Sequence, residues 1–305
     1  MTNVVLNEGL SQYSRLFIYL AMAIYTFSFL AYALNLSRQA SEDKSVRAVA
    51  SRTERVALVL LIVSAAIHGA GVVMRAISVS RVPWGNMYEF SITGSFVIVA
   101  IFIAAQFFVR DIKFIAILVS GFALLVLGAA TTIFYVEVKS LMPALQNYWL
   151  YIHVSVAVLA TAFFNIAAAL SVAFLFKSSA LITKRKNAIT KPLGRVLAVF
   201  PAENKLEKLA YRFNIIGFIL WTFTLIAGAI WAERAWHRYW GWDTKEVWTF
   251  IIWTLYAGYL HANATRGWSG KRSAWLSLIG FAAVIFNFTI VNLFFKGLHV
   301  YSGLK

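Results

Sequence analysis

Apolar residues along this chain gather into eight long runs, at about 16–36, 56–75, 90–109, 114–135, 149–176, 213–232, 247–262 and 275–295. Polar, basic or aromatic connectors separate them. A run of about 20 residues, rising ~1.5 Å per residue, crosses a hydrocarbon core of roughly 30 Å as a helix. Runs of that length predict a helical bundle and not a barrel. The pattern therefore predicts an all-α polytopic membrane protein, a bundle of about eight transmembrane helices forming one membrane domain over residues 1–305. The seventh run is the shortest, and the fifth is long enough to tilt or project beyond the bilayer. The first run lacks a small-residue cleavage pattern, so it reads as a span and not as a signal peptide.

Hydrophobic residues make up 61% of the 305 and charged residues only 13%. A water-soluble domain with so little charge would have no polar surface, which makes the lipid bilayer the chain's first partner. The net charge of +16 does not point to nucleic acid, because excess Lys and Arg in a polytopic chain set orientation and meet anionic lipid. Nineteen of the 28 basic residues fall on alternate connectors, at 38–55, 110–113, 177–212 and 266–272, and nine on the opposite side. The basic side is expected to be cytoplasmic, which puts both termini and the connector before the seventh run outside. The longest connector, 178–212, is expected to be a cytoplasmic basic loop held by headgroups, with a short amphipathic helix near 203–212.

The external connector at 231–246 reads Trp-Ala-Glu-Arg-Ala-Trp-His-Arg-Tyr-Trp-Gly-Trp-Asp-Thr-Lys-Glu. An interfacial aromatic belt accounts for one or two aromatics per helix end. It does not account for Trp236, Tyr239, Trp240 and Trp242 in one loop. That density of flat faces and indole N–H donors suits a large planar ligand. Asp243-Thr-Lys-Glu246 has the spacing of an N-cap residue with a glutamate at N3, so capping is the direct role expected of Asp243. The N–H groups of that helix end, with Arg234, Arg238 and Lys245 nearby, suit a carboxylate.

Cysteine is absent. The chain has no thiol chemistry, disulfide or thiolate-bound metal of its own. Five histidines remain as candidate ligands. His153 and His299 are expected on the outer side, flanking the aromatic loop, where two imidazoles can close the axial positions of a haem. His261 lies about 21 Å below the outer edge and His68 only about 10 Å, counted at ~1.5 Å per residue. Axial nitrogens of one haem lie ~4 Å apart, so these two make poor partners on one iron. His261 is expected to pair with a histidine of another subunit, and His68 to be a hydrogen-bonded bundle residue.

The tryptophan loop resembles the WWD signature of the haem-handling family used in cytochrome c maturation, nearest to the CcsA (ResC) subunit type of System II. The family pattern is close to W-G-x-x-W-x-W-D-P-K-E. Here it reads Trp236-His237-Arg238-Tyr239-Trp240-Gly241-Trp242-Asp243-Thr244-Lys245-Glu246. Similar matches are Pro83-Trp-Gly-Asn-Met-Tyr-Glu89, Trp149-Leu-Tyr-Ile-His153, Tyr259-Leu-His261 and Gly297-Leu-His299-Val-Tyr301, in the family's order. His237 stands where the family has glycine, and Thr244 where it has proline.

The resemblance implies external haem ligands at His153 and His299, a transmembrane haem ligand at His261, and a haem platform at Trp236, Trp240, Trp242 and Asp243. It implies a holocytochrome c synthase subunit that moves haem b outward and presents it to the Cys-x-x-Cys-His motif of an apocytochrome c. The implied partners are a CcsB/ResB-like membrane subunit and, indirectly, a thioredoxin-like protein that keeps the substrate thiols reduced. The implied location is a bacterial plasma membrane or a thylakoid membrane. Two other readings stay open: a b-type cytochrome subunit of a respiratory complex, and a haem permease that does not ligate iron.

Overall fold

The computed structural model describes residues 7–140, 146–179, 190–265, 267–295 and 297–298. Its main helices are α1 (Glu8–Gln39), α2 (Ala50–Ser78), α3 (Met87–Phe108), α4 (Ala116–Thr132), α5 (Tyr148–Lys177), α6 (Thr190–Val199), α7 (Glu203–Trp236), α8 (Thr244–Thr265) and α9 (Lys271–Phe286). A π turn, Asn287–Val291, and a last helical turn, Asn292–Phe294, prolong α9. No strand occurs among the described residues, and the fold is the expected all-α membrane bundle.

Three helices that begin on the face bearing the tryptophan loop start behind an asparagine. Asn7 Oδ1 accepts from the Leu10 N–H at 2.9 Å, Asn86 Oδ1 from Glu89 at 2.9 Å and Asn147 Oδ1 from Trp149 at 2.9 Å. Each satisfies an orphan N–H of a first turn, where lipid offers no water to do it.

Seven helices, not eight, have both the length and the apolar composition of a span among the described residues. The helix that falls short is α8, the expected seventh run. Its 22 residues reach about 33 Å, but Thr249, Thr254, Tyr256, Tyr259, His261 and Asn263 make it less apolar than its neighbours. A second difference lies before α7. The stretch 203–212 is no separate amphipathic helix but the first turns of α7, because Leu206, Leu209, Ala210 and Phe213 continue one buried stripe at helical spacing. The amphipathic helix is α6, which ends just before α7 begins. Lys177 Nζ donates to the carbonyls of Leu197 (3.1 Å) and Phe200, capping the C-terminal end of α6 with a cation.

Two half-bundles share one spine. Helices α1 and α2 pair along their length and pack with α3 and α4; α7, α8 and α9 form the other half. Between them runs α5, whose apolar window is 72% buried where the other spans reach only 28–39%. Several of its alanines, among them Ala160, Ala162 and Ala167, are fully buried and let neighbouring backbones approach, which is how helices gain contact in lipid. Phe164 of α5 stacks on Tyr256 of α8, with centroids 3.7 Å apart and planes at 4°. Both rings need glycine opposite them: a Cβ on Gly217 would fall 2.6 Å from Phe164, and one on Gly280 2.8 Å from Tyr256.

The first half is locked by a buried carboxylate. Glu89, fully buried, accepts from Arg75 at 3.0 and 3.1 Å and from Arg81 at 2.6 and 3.2 Å, and also takes the Gly85 N–H at 2.9 Å. Arg75 donates onward to Ser11 Oγ (2.9 Å) and to the Val136 carbonyl (3.0 Å). One charge cluster thus ties α1, α2, α3 and the segment after α4. Removing one member of a buried ion cluster strands the rest. Glu89→Ala should therefore cost about 3–5 kcal/mol, whereas breaking the partly exposed Lys113–Glu54 pair with Glu54→Ala should cost about 1 kcal/mol or less. Thermal unfolding in detergent checks this, and equal losses would contradict the assigned role of Glu89.

Candidate functional site

Helix α7 ends on His237, whose backbone is left-handed at φ 56°, ψ 36°, with its N–H donating to the Glu233 carbonyl at 2.8 Å. A left-handed C-cap is the position glycine fills most easily, which gives a physical reason for the family's glycine there. Trp242 is also left-handed, at φ 58°, a costly conformation for a bulky residue. The chain then enters α8 through a capping box. Asp243 Oδ1 accepts from the Lys245 N–H at 2.9 Å, while Glu246 Oε2 accepts from the N–H groups of Asp243 (3.1 Å) and Gly241 (2.7 Å). Thr244 is the first helical residue, the N1 site that proline suits because its φ is preset.

The capping corrects one expectation. The start of α8 already holds two carboxylates of its own, which compete with any ligand carboxylate for the N–H groups there. Cationic groups remain. Lys245 Nζ donates to the Asn287 carbonyl and to Asn292 Oδ1, both at 2.9 Å. It precedes the apolar run of α8, and burial there draws its ammonium below the usual lysine range, opposed by the Asp243 carboxylate. Arg238 lays its guanidinium across Gly241.

Behind this loop lies a cavity of about 240 Å³, between α3 and α4 on one side and α7, α8 and α9 on the other, with α5 behind. Small residues at its wall, Ser91, Gly94, Ser95, Thr224 and Gly228, leave the space. Trp84, Tyr239 and Trp240 stand at its mouth on the loop face. Three buried oxygens at its wall make no hydrogen bond among the described residues: Ser91 Oγ, Glu246 Oε1 and Asn287 Oδ1. Buried polar atoms of that kind call for donors from water or a bound molecule.

His153 lines the cavity from the second turn of α5. Its Nδ1–H donates to the Thr224 carbonyl at 2.9 Å, which fixes the tautomer with the lone pair on Nε2. Its ring lies over Gly228, where a Cβ would fall 2.8 Å away, and stacks on Trp231 at 5.9 Å and 18°. Trp236 meets Trp231 edge-on at 4.8 Å, so it braces the wall from behind. Trp240 is in the wall itself. Trp242 is 78% exposed, perpendicular to Trp240 at 5.9 Å, and faces outward. The expected platform is therefore divided among three surroundings. Asp243 works as the cap and does not line the cavity.

The other histidines among the described residues lie apart from this cavity and from one another. His68 is fully buried in the first half, with the Tyr25 hydroxyl 3.3 Å from Nδ1 and the rings of Tyr25 and Phe96 edge-on. His261 is exposed on α8, in the other half. His237 is exposed at the C-cap. His299 lies outside the described residues, and no cluster of three or more His, Asp or Glu side chains suited to a metal ion occurs among those described.

Sequence reasoning passed over Trp84, Trp231 and Thr224 as site residues. For Trp84 a signal existed. Trp84-Gly85-Asn86-Met-Tyr-Glu89 and Trp240-Gly241-Trp242-Asp243-Thr-Lys-Glu246 share one grammar: Trp-Gly, then a capping Asn or Asp, then Glu three residues on. In both, the glutamate reaches back to the N–H of the glycine, and both tryptophans reach the same cavity. Thr224 left no trace in the sequence because it acts through its backbone carbonyl.

Comparison with known proteins bears on the same elements. The family described as cytochrome C assembly protein matches residues 84–299. The cytochrome c biogenesis protein CcsA of Prochlorococcus marinus is 38% identical over 180 residues, covering 54% of this chain and 57% of that one. CcsA of Chlamydomonas reinhardtii is 37% identical over 166 residues, covering 54% and 44%. CcsA of Gloeobacter violaceus is 30% identical over 276 residues, covering 76% and 81%. The chain spans a little over half the length of the first curated relatives it matches. The family match opens at Trp84 and runs through α5, the tryptophan loop and α8, the elements that build the cavity mouth, so this multi-pass membrane protein belongs to the cytochrome c assembly protein family, as a member of the CcsA (ResC) type.

Proposed function

We propose that the chain is the haem-handling subunit of a cytochrome c synthase, moving haem b across the membrane and presenting it at the tryptophan loop. The observation that carries this reading is His153, oriented by Thr224 and Trp231 in the wall of an aromatic cavity on the loop face. A neutral imidazole held through Nδ1 by a carbonyl presents Nε2 as an iron ligand of fixed direction. The second external ligand is His299. Trp240 and its neighbours supply apolar faces for a porphyrin, and Lys245, Arg234 and Arg238 supply cations for its propionates.

The chemistry that follows needs no cysteine from this chain. Each substrate thiol adds across a haem vinyl group: sulfur bonds to one vinyl carbon, the proton goes to the other, and the double bond becomes single. No oxidant is consumed, but the thiols must be reduced, the task of a thioredoxin-like protein. Ligation has to be exchangeable, because the iron passes to the histidine of the substrate's Cys-x-x-Cys-His motif. The exposure of His261 on α8 supports its pairing with an imidazole from a CcsB/ResB-like subunit. A b-type cytochrome would need paired histidines at one depth inside the bundle, and His68 and His261 sit in different halves.

Three outcomes follow. Reporter fusions at 190 and 240 should read cytoplasmic and external respectively, on the basic split of the connectors; the reverse would remove the external site altogether. His261→Ala should lower haem co-purifying with the complex while His68→Ala costs little, and equal large losses would refute the separation of the two histidines. His153→Gly or His299→Gly should abolish cytochrome c assembly, and added imidazole should partly restore it by filling the vacant axial position. The rival ligand is His237: loss of the external haem spectrum in His237→Ala, with His299→Ala unchanged, would replace the pair.

A further inference from the structure

Residues just before α8 and in its first turn grip the end of the chain at two points. Lys245 Nζ holds the π turn that ends α9, through the Asn287 carbonyl and Asn292 Oδ1. Beyond Asn292, at Leu298, the Asp243 carboxylate takes over. Its Oδ2 accepts from the Leu298 N–H at 2.6 Å while its Oδ1 accepts from the Lys245 N–H at 2.9 Å. The approach is close enough that a Cβ on Gly297 would fall 2.6 Å from Oδ2 and 2.8 Å from Oδ1. Only glycine fits there with the carboxylate in place.

Capping alone explains only one of the two Asp243 oxygens. A cap uses one side-chain acceptor for the N2 or N3 amide; the second oxygen is spent on a peptide 55 residues away in sequence. A hydrogen bond to an ionised acceptor is about twice as strong as a neutral one, and this one ends on the residue before His299. We infer that Asp243 is a positioning residue for His299: it clasps Gly297–Leu298 to the start of α8 and so fixes the chain one residue before the proposed ligand. The inference rests on the proposed reading of His299 as an axial ligand. It assigns the aspartate of the loop motif a role other than contact with haem, and it links that aspartate to Gly297 of the Gly297-Leu-His299 stretch.

Asp243→Asn separates clasp from cap. Asparagine caps helices as well as aspartate, and its Oδ1 can still accept from Lys245, but its amide nitrogen cannot accept from Leu298. The full chain with its co-purifying haem should show Asp243→Asn unfolding at the wild-type temperature yet carrying on the order of tenfold less external bis-imidazole haem, the loss expected for one charge-assisted hydrogen bond. Added imidazole should restore the low-spin spectrum, as it does for His299→Gly, because in both cases the vacancy is axial. Gly297→Ala should behave in the same way, and Asp243→Asn combined with His299→Gly should lose no more than His299→Gly alone.

The outcomes are distinct. If His299→Gly leaves the external spectrum unchanged, the ligand reading fails and the clasp has nothing to position. If His299→Gly removes the spectrum while Asp243→Asn keeps it, the clasp alone is overturned. If Asp243→Asn loses haem that imidazole cannot restore, while His299→Gly is rescued, Asp243 acts on the aromatic loop or on haem itself and the inference is again overturned.

Discussion

A helix that starts at the edge of a membrane has first-turn N–H groups that lipid will not satisfy, and the chain must supply the acceptors. In this protein the most consequential acceptors are two glutamates on one face. Glu246 turns back to Gly241 and Asp243, which shapes the tryptophan loop; Glu89 turns back to Gly85 and gathers Arg75 and Arg81 around itself. Both leave a Trp-Gly pair just ahead of the helix, with the indole at the cavity mouth. The aromatic site is thus a by-product of how two helices are capped, and its rigidity comes from buried carboxylates and not from the aromatic rings.

Between those two corners runs α5. Its alanines bring α7 close, and the Phe164–Tyr256 stack joins it to α8 lower in the bundle. Nearer the loop face the facing residues are serine, glycine and threonine, so the halves part and the cavity opens. Close packing below and small side chains above place His153 where α5 crosses from one regime to the other. Its neighbours hold it by stacking and by a backbone carbonyl, a mounting that suits the exchangeable ligation proposed for it.

Two of the three non-glycine residues with left-handed backbone among the described residues, Ser80 being the third, fall in the same region. His237 and Trp242 both take left-handed backbone within six residues, and such strain persists only where surrounding contacts impose it. Arg238 across Gly241, the Asp243–Glu246 box and the Trp240–Trp242 edge contact supply that constraint. Trp242 ends up facing outward and the loop presents aromatics on two sides, one toward the cavity and one toward whatever approaches from outside the membrane.

How much of this the sequence carried depends on the range of the interaction involved. The long apolar helices follow from local composition and length, and the Asp243–Glu246 box from residues three apart. Counting residues along helices of fixed rise puts His68 and His261 at different depths, but their placement in different halves of the bundle is a tertiary finding. Where neighbours along the chain did not suffice, the sequence was silent or misleading. Residues 203–212 look amphipathic in isolation, yet they continue the buried stripe of α7. The start of α8 looks like an open anion site until Asp243 and Glu246 are seen to compete for it. The division of the tryptophans into wall, brace and outward face, the tie of Thr224 to His153, and the grip of Asp243 on Leu298 link positions far apart in the chain. A backbone carbonyl or amide has the same chemistry at every residue, so only the tertiary structure, which decides which peptide faces which side chain, could reveal them.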